Sequence, residues 1–276
     1  MTPLTPFDAA QLDATLARLG LPARPPEPTL ENLDHLIDAA LHHLPFENLD
    51  VLLDKPVDID PQAVFAKVVE GGRGGYCFEL NSLFARLLTS LGYRVTLLVA
   101  RVRWGVADNV ELTPQTHLLL RVDLACGVYL VDIGFGGPAS PRALPLALDQ
   151  ELPGGWRLLS AARVGELALS VGRQTLYHFT LEPQHWLDYL PRNWYTSTFP
   201  QSVFRRFLKV ALSENGVRLT LNDGQFSMRY ADGQVEQRQI AEVDELLAVL
   251  RERFGLALHG DEATALRRRL QGLLGA

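Results

Sequence analysis

The sequence predicts an α+β protein, on three observations. Residues 1–91 place apolar side chains at helical spacing, residues after 92 switch to short runs rich in Val, Leu and aromatics between turn signals, and the chain closes on helical spacing again. Elements segregated along a chain in this way argue against the alternating units of a doubly wound parallel sheet.

In the helical part, Leu12, Leu16 and Leu19 fall on one face, and Gly20 suits a helix end. A proline-rich joint follows at 22–28. Thr29 is placed to cap a second helix carrying Leu30, Leu33, Leu36, Ile37, Ala40, Leu41 and Leu44, and Pro45 breaks it. Asp60 and Pro61 read as cap and first helical position of a third, ended by Gly71-Gly72. A fourth opens at Cys77 and shows Leu80, Leu83, Phe84, Leu87, Leu88 and Leu91 before Gly92. Strands are expected in YRVTLLVARVRW, THLLLRVDL and GVYLVDIGFG, and around 156–171 and 175–182. Asn215-Gly216, Asp223-Gly224 and Asp232-Gly233 then punctuate four short strands as hairpin turns. Two helices, about 242–254 and 261–274, end the chain.

Composition bounds the function. The 276 residues are 47% hydrophobic and 21% charged, which is globular and not disordered. A net charge of −6 argues against a nucleic-acid footprint. No basic, apolar leader opens MTPLTPFDAAQL and no apolar run is long enough to span a bilayer, so a cytoplasmic protein without a membrane partner is expected. Two cysteines, Cys77 and Cys126, make no disulfide framework and are expected to be free thiols.

Cys77 sits in RGGYCFELN, after Gly74-Gly75 and at a helix start. Unpaired N–H groups and the dipole there favour an anion, so the thiol is expected below the roughly 8.5 of free cysteine, with Arg73 adding positive charge. The competing reading is a buried small hydrophobe. A nucleophilic cysteine also wants a base and an orienter for it. Among seven histidines, His117 starts a strand, and the following strand carries Asp132 after Leu130 and Val131. A hairpin centred on Leu124-Ala125 sets His117 opposite Asp132, whereas one centred on Cys126-Gly127 separates them along the same face. Cys126, beside Gly127 at a turn, has no base in its motif.

These same residues resemble the arylamine N-acetyltransferases. The likeness runs through PFENLD at 45–50, RGGYCFELN at 73–81, LGY with VARV at 91–102, TH at 116–117, VDIGFGG at 131–137 and NWYTSTFPQSVF at 193–204. The chain departs where members often carry a basic residue before the motif arginine and it has Gly72. The resemblance implies a papain-like cysteine core in three parts: an N-terminal helical bundle (1–91), a central antiparallel β-barrel (92–203) and a C-terminal α/β lid (204–276). It implies Cys77 as nucleophile, His117 as base and Asp132 as orienting carboxylate. Phe46, Phe135 and Phe204 would line the acceptor pocket, and Gly134 and Gly136 would admit the pantetheine arm or acyl group.

The activity implied is acetyl transfer from acetyl-coenzyme A, as a co-substrate and not a tightly bound cofactor, to aromatic amines or hydrazines. It would run by double displacement through an acetyl-cysteine, with no metal, in a monomer or homodimer. An amide synthase taking a carrier-protein or longer acyl thioester is one alternative, and a papain-like thiol hydrolase another. Arg101, Arg103, Arg205, Arg206 and Lys209 are expected to be solvated surface cations and not phosphate ligands.

Overall fold

Local signals place the helices in the computed structural model, which describes residues 4–21, 24, 27–107 and 109–274. Asp8 accepts from Gln11 N to open α1 (Ala9–Arg18), and Gly20 leaves it at φ +69°. The proline-rich joint lies largely outside the described residues. Thr29 accepts from Asn32 N and caps α2 (Leu30–His43). After a two-residue strand β1 (Phe46–Glu47) and the short α3 (Leu49–Leu52), Asp60 caps α4 (Pro61–Phe65) with Pro61 at its first position. One π-helical stretch, Ala66–Glu70, continues α4, so the expected third helix is irregular in its second half. The fourth is α5 (Cys77–Ser90), buried along almost its whole length.

The strands β2 (Arg94–Val102), β3 (Gln115–Leu124), β4 (Gly127–Val131), β5 (Leu144–Pro145), β6 (Glu151–Leu152), β7 (Trp156–Ser160), β8 (Leu167–Val171) and β9 (Gln174–Phe179) form one antiparallel sheet in the order β5-β4-β3-β2-β9-β8-β7-β6. It curls into a nearly closed barrel around Leu98, Leu119, Leu158, Leu169 and Phe179. The other face of β3 carries Leu118, Leu120 and Val122 onto the helical core with Leu80, Phe84 and Leu87 of α5.

The chain then forms α6 (Tyr189–Thr198) and α7 (Val203–Arg206). Strands β10 (Lys209–Glu214), β11 (Val217–Asn222), β12 (Gln225–Arg229) and β13 (Val235–Gln239) follow, then α8 (Val243–Glu252) and α9 (Gly260–Leu274). Asn215 and Gly216 both take positive φ, the conformation that closes the β10–β11 hairpin. This second sheet runs β1-β10-β11-β12-β13, so Phe46 and Glu47 add an edge strand to elements over 160 residues away in sequence, through Phe46↔Ala211 and Glu47↔Val210. Alternation splits the sheet: Val210, Leu212, Leu219, Leu221 and Phe226 pack on α8 and α9, while Phe46, Ala211, Ser213, Arg218, Thr220 and Ser227 share the opposite face.

The α+β class therefore holds, and the sheet is barrel-like with its two end strands unpaired to one another. The β3–β4 hairpin pairs Leu120 with Val131 and Leu124 with Gly127, so its turn is Ala125-Cys126. Neither expected register is realised. Asp132 lies just past β4, two residues short of the position facing His117, which places the two diagonally on one face.

Candidate active site

The nucleophile loop is built on close packing that only glycine permits. A Cβ at Gly74 would stand 2.0 Å from the Pro45 carbonyl oxygen, and one at Gly75 would strike the Glu79 side chain. That closeness lets Glu47 N donate to Gly75 O at 2.9 Å, which ties β1 to the residues before Cys77. Glu79, in the first turn of α5, accepts from Tyr76 N at 3.0 Å and from Lys67 Nζ at 2.7 Å. Burial raises its carboxyl above the ordinary value, against the lowering effect of Lys67.

Arg73 donates to Glu47 from Nη2 at 2.7 Å and from Nε at 3.1 Å, lies 3.6 Å from Asp50, and bonds Glu262 of α9. Lys67 also pairs with Asp50 at 2.5 Å. Salt bridging around the motif arginine is thus dense although residue 72 is glycine. A buried arginine left without these carboxylates is costly, so the cluster fixes the loop rather than decorating it.

Cys77 is 3% exposed, and its Sγ lies 3.6 Å from the Thr116 carbonyl oxygen. The next residue on that strand, His117, is equally buried; its Nε2 meets Asp132 Oδ2 at 2.6 Å. Burial disfavours the imidazolium, but the charge and hydrogen bond of Asp132, with a smaller contribution from Cys77, outweigh it and push His117 up to about 10. The ring is held between aromatics, with Phe135 at 5.3 Å edge-on and Tyr177 at 5.2 Å.

Asp132 is positioned from the nucleophile's own helix. Asn81, one turn after Cys77 in α5, donates from Nδ2 to Asp132 Oδ1 at 2.9 Å and to Leu118 O at 2.6 Å, while its Oδ1 accepts from Ile133 N at 3.0 Å. Gly134 N donates to the same carboxylate at 3.1 Å. Burial, then the nearby charge of Asp132, raise the pKa of the buried Tyr177 hydroxyl. One amide side chain thereby locks helix, strand and carboxylate together.

The structure brings Cys77, His117, Asp132, Phe46, Phe135, Phe204, Gly134 and Gly136 into one neighbourhood. Phe46 and Phe204 are ring neighbours at 5.9 Å, and Phe204 also meets Tyr76. A Cβ on Gly136, at φ +78°, would lie 2.6 Å from the Phe46 ring, and one on Gly134 would lie 2.9 Å from Cys77 Cα. What presses on these two glycines is protein: the pocket aromatic in one case and the nucleophile backbone in the other. Arg101 and Arg205 are spent on Glu166 and Asp54, and Cys126 is exposed beside Tyr129.

Sequence reading passed over Asn81, Tyr177 and Trp104. Asn81 had a signal, since i and i+4 share a helix face with Cys77. Trp104, whose Nε1 would lie 3.7 Å from a Cβ on Gly137, follows the VARV stretch in a loop of no defined period. Tyr177 comes from β9, sixty residues beyond His117, with no local mark.

Sulfur on a helix and imidazole on a curled antiparallel sheet is the layout of a papain-like thiol enzyme, and comparison with known proteins narrows that class. A family model described as N-acetyltransferase matches residues 29–263. An arylamine N-acetyltransferase of Mycobacterium tuberculosis is 38% identical over 257 residues, covering 90% of both chains. Among solved structures, that of the Mycobacterium smegmatis arylamine N-acetyltransferase aligns with TM-score 0.89 at 36% identity, over 96% of this chain and 99% of that one. The Mycobacterium marinum arylamine N-acetyltransferase in complex with CoA aligns with TM-score 0.88 at 31% identity, over 95% and 99%. The chain belongs to the arylamine N-acetyltransferase family.

Proposed function

We propose that this chain moves an acetyl group from acetyl-coenzyme A to aromatic amines or hydrazines through an acetyl-Cys77 intermediate. The observation that carries the reading is the 2.6 Å bond of His117 to Asp132 beside the buried Cys77 at the start of α5, whose Sγ lies 3.6 Å from the carbonyl of Thr116, the residue before His117. With its imidazolium favoured up to about pH 10, His117 is charged at neutral pH and is the proton donor and acceptor of the cycle beside Cys77. The sulfur attacks the thioester carbonyl, coenzyme A leaves as the thiol with the proton from His117, and the acetyl group stays on Cys77. The amine then attacks that thioester, its proton passes to His117, and the thiolate is released. The N–H of Cys77, in the first turn of α5, is an available donor to each oxyanion.

Phe46, Phe204 and Phe135 provide apolar walls for a flat amine and disfavour a well-placed water. Gly134 and Gly136 remain the donor-side candidates through their backbone, since protein occupies their Cβ directions. The division into bundle (1–91), barrel (92–203) and lid (204–276) is kept as the reading of its parts, in a cytoplasmic monomer or homodimer. Among the described residues no helix is long and apolar enough to cross a membrane.

Incubation with acetyl-coenzyme A alone, followed by intact-mass analysis and peptide mapping, tests the mechanism. One acetyl group on Cys77 is expected. Turnover that requires both substrates bound, with no such adduct, would defeat the double displacement.

A further inference from the structure

Most large apolar side chains here are buried, but a run through α6 and α7 is not. Leu187 is 60% and Trp194 68% exposed, and Tyr195, Phe199, Val203 and Phe207 are each more than a third exposed. Leu187 stands in the single turn Trp186–Asp188 that leads into α6, while Val203 opens α7 and Phe207 follows it. The inward face of α6 is already committed. Its Tyr189, Asn193, Thr196 and Ser197 are buried, and Asn193 accepts from the Tyr76 hydroxyl and donates to Val57 O at 2.9 Å. Leu187, Pro191, Trp194 and Tyr195 recur at helical spacing on the outward face. Phe199 extends that face by stacking on Tyr195, with ring centroids 4.8 Å apart and planes 17° from parallel. At ~150–250 Å² for a whole aromatic side chain and somewhat less for Leu and Val, the six together bare about 500 Å² of apolar surface. An apolar patch of that order marks an interaction site.

We propose that this face is the two-fold contact of a homodimer, in which α6 of one copy lies antiparallel across α6 of a second copy with both Trp194 side chains at the axis. Area and charge point to a second copy as the occupant. Two such patches bury about 1,000 Å² between them before any rim is counted, which reaches the size a stable interface needs. None of the six side chains is charged, whereas the two ends of the run carry opposite signs, exposed Asp188 at the start and exposed Arg206 at the finish. Arg206 lies over the Phe207 ring at 5.1 Å and has no ion pair among the described residues. A two-fold contact presents the same patch from both sides. Antiparallel packing about Trp194 therefore carries Asp188 of each copy toward Arg206 of the other, and Leu187 toward Phe199 and Val203. A lipid surface or an acidic partner would call for one sign around the rim, not both. Asn193 holds Tyr76, the residue before Cys77, so the contact also backs the helix that steadies the nucleophile loop.

Sedimentation equilibrium of the full chain from about 1 to 100 μM tests this, because a dimer's population depends on protomer concentration. The wild type is expected to show the mass of two chains. Trp194→Glu sets two carboxylates against each other at the axis and should raise the dissociation constant at least about 100-fold, the worth of losing a central tryptophan anchor. Val203→Glu should weaken the dimer as well and stands in where Trp194→Glu perturbs α6; native circular dichroism qualifies either variant. Arg206→Glu should loosen the contact, and Asp188→Lys combined with it should restore the dimer. Absence of that rescue overturns the antiparallel arrangement. A wild type that sediments as one chain across the whole range overturns the proposal. So does a dimer unmoved by Trp194→Glu and Val203→Glu, which places the contact elsewhere. Co-sedimentation of one-chain wild type with phosphatidylserine vesicles, lost in Trp194→Glu, assigns the face to a lipid surface and overturns it too.

Discussion

Replacing Asp132 by Asn keeps the shape of the site and removes its charge. In the native site the imidazole of His117 is pushed from 6.5 to about 10 although burial opposes it. At ~1.4 kcal/mol per tenfold, that gap corresponds to about 5 kcal/mol favouring the imidazolium. Most of it comes from Asp132, so in Asp132→Asn burial wins and His117 is neutral at pH 7. Acetyl transfer is expected to fall by about 10³–10⁴, as when other triads lose their charged orienter. Iodoacetamide labelling of Cys77 at pH 7 should slow in parallel, and this reports the thiol without any substrate.

Stability follows the same sign. A histidine whose folded value is raised contributes fully below about 6.5 and loses that contribution as pH rises through about 10. Urea unfolding of the wild type should therefore weaken across this window by up to about 5 kcal/mol, and that of Asp132→Asn should be flat there. A variant with native circular dichroism that retains more than a tenth of the wild-type kcat/KM would refute the electrostatic role of Asp132.

Cys77→Ala should abolish turnover with the fold intact, and Cys126→Ala should be nearly silent; steady-state assays beside circular dichroism decide both. Arg73→Met strands the buried Glu47 without its cation and should cost about 3–5 kcal/mol, read as a melting temperature lower by roughly 10 °C. Gly136→Ala sets a Cβ 2.6 Å from the Phe46 ring at a positive φ, so it should raise KM for both the amine and acetyl-coenzyme A, read in steady-state assays. Asn81→Ala frees Asp132 Oδ1 and Leu118 O from one shared donor and should lower kcat about 10–100-fold, with a lowered alkaline limb in the pH profile.

Local chemistry made much of this legible. Thr29, Asp60 with Pro61, and Asn215-Gly216 act on their own neighbours, so cap and turn rules placed them without coordinates. RGGYC marked the nucleophile because its glycines and helix start are contiguous, and TH and VDIGFG stood close enough in sequence to be tried as a hairpin. The register of that hairpin was not legible, because Leu124-Ala125, Ala125-Cys126 and Cys126-Gly127 differ little as turns. Residues supplied from afar were hidden for a different reason. Tyr177 and the pairing of Phe46 with Ala211 are set by how sheets curl and dock, and nothing beside them in the chain records it.

The two residues Phe46 and Glu47 belong at once to the rim of the second sheet and to the anchorage of the loop that carries Cys77. The ring proposed to meet the substrate is therefore riveted to the same frame that holds the sulfur. Such an enzyme resembles a vice with a fixed jaw more than a mouth that opens and shuts. On the proposed reading, breeding it toward new amines is then a matter of re-cutting the jaw's surface at Phe204, because any attempt to widen the gap at Phe46 will disturb the loop that carries Cys77.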